Sequence, residues 1–196
     1  KSTTQTIIMT LSVLYTPAFA EFGEVNEDVY DQSGQTFTPV DISSVANMDF
    51  ADEIAGDGKG GWTDQGAGND MRYFKQFGKV NILGVDFNII DPQKNNGKAI
   101  ITLRGQNLET LPNKVEVPIG QKAAGAYILH AAAYVVNNVA TYSFVYEDGS
   151  RCDVPIRNKQ EIFNFWGSAN AERCKVAWNG KNESTGNVSI YMYTME

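Results

Sequence analysis

Histidine is nearly missing from this 196-residue chain, cysteine is scarce, and positive charge falls short of negative: one His, two Cys, and 16 Lys plus Arg against 23 Asp plus Glu. Each shortage removes a class of function. A single histidine excludes a multi-histidine metal centre. Cys152 and Cys174 are too few for a disulfide-dense scaffold, and their spacing is not that of a zinc site. A bridge between them would contribute about 3 kcal/mol in the chain-entropy model. Two unpaired buried thiols fit the sequence equally, so cysteine usage leaves the compartment open. The net charge of -7 argues against nucleic acid and against an anionic membrane, because both need a basic surface. No G-x-S-x-G or comparable nucleophile context accompanies His130. A sustained helical period, an internal repeat and a low-complexity tract are also lacking.

What is present reads as strands and turns. Hydrophobic residues make up 42% and charged residues 20%, which excludes wholesale disorder. Eighteen glycines with nine Tyr and ten Phe favour a β architecture. Strand signals run over Thr36–Ile42, Val80–Ile90, Ala99–Leu103, Lys114–Ile119, Ala126–Tyr134, Ala140–Tyr146, Arg151–Ile156, Arg173–Trp178 and Asn187–Tyr193. Turn signals fall between them at Asp91-Pro92, Asn95-Asn96-Gly97, Asn137-Asn138, Glu147-Asp148-Gly149 and Asn179-Gly180. The clearest hairpin is Thr141–Ile156. Tyr142, Phe144 and Tyr146 share a face, Asp148-Gly149 turns the chain, and Cys152, Val154 and Ile156 return. Alanine-rich Ala123–Ala133 tempts a helix reading, but its alternation and Gly125 favour a strand. The expected fold is all-β, a β-sandwich of the jelly-roll kind.

The opening segment has two readings. Lys1, the apolar run Ile7–Tyr15 and Ala18-Phe19-Ala20 fit an export signal with a small-x-small cleavage site. Ile7, Met9, Leu11 and Val13 alternate as in a half-buried strand, the favoured reading, and the chain has no initiator Met. Both agree with an exported protein. Glu21–Gly34 is acidic and poor in aliphatics, as in a linker. The expected division is therefore 1–35 as N-terminal strand or signal plus linker, and 36–196 as the sandwich. Tyr191–Glu196 stops inside a strand-like run, as expected of a piece of a longer chain.

The most unusual stretch is Asp57–Asp70, too long and polar for a turn. The glycines of Gly58-Lys59-Gly60-Gly61-Trp62-Thr63-Asp64-Gln65-Gly66 let the backbone take positive φ and approach a ligand closely. Trp62 supplies a flat apolar face, while Asp64, Gln65, Asn69 and Asp70 supply donors and acceptors. That combination suits a sugar, whose C–H faces stack while its hydroxyls are read by side chains. Alternatively, Trp62 folds back to cap the core and the polar groups satisfy the loop. Asp57, Asp64, Asp70 and nearby carbonyls are hard oxygen donors for a structural calcium ion, without EF-hand spacing.

Other residues give weaker signals. Trp166, after Phe163-Asn164-Phe165, either rims a ligand groove or plugs the core; Trp178 is a packing residue. His130, between Leu129 and Ala131, reads as a core strand residue bonded to a neighbour. No pair of carboxylates stands out for acid–base chemistry, and Arg104 reads as a strand-end or salt-bridge residue. Asn182-Glu-Ser and Asn187-Val-Ser match a glycosylation pattern that is frequent by chance.

Several stretches occur together in order: Asp57-Gly-Lys-Gly-Gly-Trp-Thr-Asp-Gln-Gly66, Asn69-Asp70, Asp91-Pro92, Asn95-Asn96-Gly97-Lys98, Leu129-His-Ala-Ala-Ala-Tyr134, Tyr146-Glu-Asp-Gly149 and Phe163-Asn-Phe-Trp166. As a set they resemble the galactose-binding-like β-sandwich accessory modules of bacterial polysaccharide-active enzymes, over about residues 36 to 196. The resemblance implies a jelly-roll sandwich, frequent calcium at a structural site, carbohydrate binding as the commonest activity, and further strand pattern beyond this chain's last residue. It implies no defined sugar, and it supports fold more strongly than function. The candidate site rests on the loop.

Three functions follow in order of expectation. The first is a noncatalytic carbohydrate-binding module, secreted or at a bacterial cell surface, that brings a tethered catalytic domain to a polysaccharide or oligosaccharide. The second is a spacer or interface domain of a multidomain glycoside hydrolase, without its own sugar ligand. The third is an enzyme in its own right. Exposed, coplanar Trp62 and Trp166 favour the first and buried ones the second. A groove holding two carboxylates, or Tyr, Arg and His130 together, favours the third.

Overall fold

The computed structural model describes residues 5–15, 35–105 and 108–195, and the linker expected over 21–34 lies outside them. The described residues are nearly all strand, turn and extended chain. Their strands are β1 (Gln5–Tyr15), β2 (Thr36–Val40), β3 (Gly78–Ile82), β4 (Val85–Ile89), β5 (Ile101–Thr102), β6 (Gly125–Ala133), β7 (Asn138–Val145), β8 (Arg151–Arg157), β9 (Cys174–Gly180) and β10 (Val188–Met195). Helix is limited to short 3-10 turns at Ala67–Asn69 and Pro92–Lys94.

The main sheet runs β2-β1-β6-β10-β9, with β5 also on β1, and every pairing is antiparallel. One edge of β1 is shared by β2, from Leu11 to Tyr15, and β5, at Ile7 and Ile8; its other edge carries β6. Two ribbons, β3–β4 and β7–β8, each form a separate two-stranded sheet.

The main sheet is packed on both faces. β6 is buried along its whole length, and its side chains alternate between two cores. Tyr127, Leu129, Ala131 and Ala133 join Val85, Phe87 and Ile89 of β4 and the aromatic residues of the 50–77 segment. Ala126, Ile128 and Ala132 join Tyr142 and Ile156 of the β7–β8 ribbon. A strand apolar on both faces loses the polar/apolar alternation of a half-exposed strand, which explains why the alanine-rich run looked helical.

The expected strands hold in most places. The Thr141–Ile156 hairpin has Tyr142 opposite Val154 and Phe144 opposite Cys152, with Gly149 at φ 82° in the turn. The single strand expected over Val80–Ile90 is instead a hairpin, β3–β4, because Leu83 and Gly84 both adopt positive φ (51° and 85°) and reverse the chain. A leucine at such a position is unusual, and only the one glycine marks the turn. Lys114–Ile119 is extended but carries no strand. Val117 and Ile119 pack against the second core, but the segment joins no ladder.

Candidate functional site

The Gly58–Gly66 loop is shaped to bury a tryptophan. Gly60 (φ 82°) and Gly61 (φ 129°) cross directly over the 48–52 segment. A Cβ on Gly61 would stand 2.5 Å from Asp52 Cβ and 2.6 Å from the Ala51 carbonyl oxygen, and one on Gly60 would overlap the Met48 sulfur. With that approach open, Trp62 drops to 0% exposure. It stacks on Phe50 at 6.3 Å and meets Phe165 edge-on at 5.7 Å. The glycines bring backbone to backbone, and Trp62 presents no face to a ligand. The expected stacking role is corrected here to that of a core plug.

Carboxylates beneath the loop hold it in place. Asp70, fully buried at its side chain, accepts the Asp52 N–H at 2.8 Å and the Arg72 Nε at 2.7 Å. Arg72 also donates to the Asp52 carbonyl at 2.9 Å. Asp52 accepts the Gly66 N–H at 2.7 Å, and Asp64, at φ 56°, accepts the Gly58 N–H at 3.3 Å. Burial raises the Asp52 carboxyl above its ordinary range; the Gly66 N–H opposes this, and the Asp64 carboxylate pushes it further up. Gln65 is half-buried and accepts from the Thr63 hydroxyl at 3.1 Å.

The calcium triad does not assemble. Asp57 is on an exposed turn, where it accepts the Lys59 N–H and pairs with the Lys59 ammonium. Asp70 is committed to Arg72 and Asp52. No group of three His, Cys, Asp or Glu side chains gathers among the described residues. Asp64 Oδ1 is buried with no hydrogen-bond partner, and the Asp64 carboxylate acts on that of Asp52. Asp57, Asp64 and Asp70 are thus not gathered into one donor set.

Two of the expected site residues do meet. Trp166 Nε1 donates to Asn69 Oδ1 at 3.3 Å, joining the β8–β9 connection to the 3-10 turn Ala67–Asn69. Tyr134, 41% exposed, meets the half-buried Trp166 edge-on at 5.4 Å and 69° between planes. The two rings form a corner instead of a coplanar platform. Tyr134 sits at φ 53°, a conformation that costs a bulky residue energy and is found chiefly where function or packing enforces it. In the sequence Tyr134 ends a strand and the stretch Leu129–Tyr134, and nothing there marks it as a ligand-facing ring. The segment at Ser184 closes the other side of the turn, donating its N–H to the Gly68 carbonyl at 3.0 Å. Asn182, in the first glycosylation pattern, is only 4% exposed.

A second polar group lies on the opposite face of the sheet. His130 Nδ1 is 2.7 Å from the Tyr142 hydroxyl, and Tyr193 stacks on the imidazole at 5.9 Å. His130 is fully buried, and burial pushes its pKa down to about 3. Cys174 is buried and its thiol is pushed up to about 12 by burial, whereas Cys152 is exposed; both are free. Tyrosine and histidine come together here, but sealed from solvent.

Comparisons with family models, with curated proteins and with solved structures find no match to this chain.

Proposed function

We propose that this chain is a noncatalytic carbohydrate-binding module, a galactose-binding-like jelly-roll sandwich of an exported bacterial protein. It holds a tethered polysaccharide-degrading enzyme on its substrate. The observation that carries this reading is the corner formed by Tyr134, Trp166 and Asn69: two partly exposed aromatic rings beside an amide. Such a corner offers a sugar an apolar face and hydrogen-bonding groups together. The net charge of -7 suits a neutral polar ligand better than a polyanion. Tethering turns modest affinity into high local concentration, so one small corner is enough.

The burial of Trp62 favours a second reading, that of a spacer or interface domain without a sugar ligand. One experiment separates the two. The purified chain is tested on a panel of soluble and insoluble polysaccharides, with calcium and with chelator, alongside Trp166→Ala and Tyr134→Ala. Saturable binding that both variants lose supports the module and places its site at the corner. Lack of binding across the panel by a folded chain supports the spacer. A chelator effect on binding or melting temperature would support the calcium expectation, and its absence would count against it.

A further inference from the structure

The β7–β8 ribbon stands apart from the rest of the fold. Among the described residues its strands pair only with each other. Its hold on the main sheet comes through side chains, with Tyr142 and Ile156 buried and Phe144 and Val154 partly buried in the second core. Burial decreases toward the tip, where Val145 is 70% and Tyr146 51% exposed. Among the described residues, the polar contact from the ribbon's strands into the face of β6 is between Tyr142 and His130, at 2.7 Å.

The surroundings of that contact favour a neutral imidazole. The groups around it are Tyr142 from β7, Tyr193 from β10, Cys174 and Arg173 at the start of β9, and Arg157 and Glu161 where β8 ends. The two phenols and the thiol are kept neutral by burial, which raises all three. Glu161 is the carboxylate of the group, and it is committed to Arg157 through two guanidinium hydrogen bonds of 3.0 and 2.7 Å. Arg173 adds positive charge. His130 Nε2 and the Tyr193 hydroxyl are buried without a close partner; the Glu161 backbone is the one neighbour that favours a charged imidazole, its effect smaller than that of burial, and the Tyr193 hydroxyl lies beside Arg173. A proton on this ring would therefore be a buried cation without a free counter-charge, and such a group moves to water when a route opens.

We infer that the β7–β8 ribbon is an acid-released flap: protonation of His130 drives Tyr142 out of the second core and lifts the ribbon off β6. The sign follows from linkage. The closed form disfavours the proton, so closure is fully supported above the ordinary histidine range near 6.5 and weakens as pH falls from there toward about 3. Opening becomes about tenfold easier per pH unit, or about 30-fold between pH 7.5 and 5.

His130 is the chain's only histidine, so its imidazole resonance reports its titration without ambiguity. Amide hydrogen exchange, corrected for the intrinsic pH dependence, is followed at pH 7.5, 6 and 5. The expected result is loss of protection in β7 and β8 by about 30-fold at pH 5, while β6 and β10 keep theirs. His130→Gln, which cannot take the proton, should abolish the pH dependence. If that variant does not fold, the wild-type resonance decides: charged imidazole should appear only in molecules with exchanging ribbon amides. Three results overturn the inference: ribbon protection unchanged from pH 7.5 to 5, all strands losing protection together, or an imidazole that titrates near 6.5 while the ribbon stays protected.

Discussion

The two faces of the main sheet are both buried, but in different ways. The face under the 50–77 segment is apolar and aromatic: Phe50, Trp62, Phe74, Phe87 and Phe165 pack ring against ring. The face under β7–β8 encloses a histidine, two tyrosines and a thiol among small aliphatic residues. The rings of the first are held by area and dispersion, which do not change with pH, while the carboxylates of the covering loop lie beside them. The second depends on protonation states that burial has fixed. From one strand, β6, alternate residues supply a core of packed rings and a core with a titratable group at its centre.

Substitutions should expose that difference, beginning with the largest effect. Trp62→Ala empties the centre of the aromatic core and should cost about 3–5 kcal/mol in urea unfolding. A cost under 1 kcal/mol would mean that the loop can release its tryptophan, and would revive Trp62 as a stacking residue. Asp70→Ala strands Arg72 and the buried Asp52 N–H, and should cost about 2–3 kcal/mol. Tyr142→Phe leaves His130 Nδ1 unpaired on the polar face; a loss of about 1–3 kcal/mol at pH 7.5 is expected. Trp166→Ala, at a half-buried corner, should cost about 1 kcal/mol or less while removing polysaccharide binding. Thiol labelling sharpens the contrast without any mutation: exposed Cys152 should react with an aromatic disulfide reagent in the native state, and Cys174 only on unfolding.

Local chemistry was readable wherever one segment decided the outcome. The Thr141–Ile156 hairpin is written in its own alternation and its Asp148-Gly149 turn. The β3–β4 turn was hidden because Leu83 takes a conformation its side chain disfavours, sustained by the pairing on either side. Lys114–Ile119 has the period of a strand and half-buries alternate residues, but a ladder needs a neighbour that no sequence window reveals. The candidate site shows the same limit. The glycines of the 58–66 loop did signal close approach, but what approaches is the 48–52 backbone. Asn69 and Trp166 were both singled out, yet that they touch is a fact of tertiary packing across 97 residues of sequence.

The position of β1 bears on how the chain reaches this structure. Ile8 pairs with His130 and Leu11 with Ile128, so β1 lies beside a strand made about 120 residues later, which in turn needs β10 on its other edge. Closing such long loops before any contact rewards them makes folding slow. During synthesis β1 finds a local partner in β2, whose register with Leu11–Tyr15 needs only the next few dozen residues. The β1–β2 pair would then wait with an open edge until β6 emerges, the interval in which a chaperone or a neighbouring chain has most to gain from binding it.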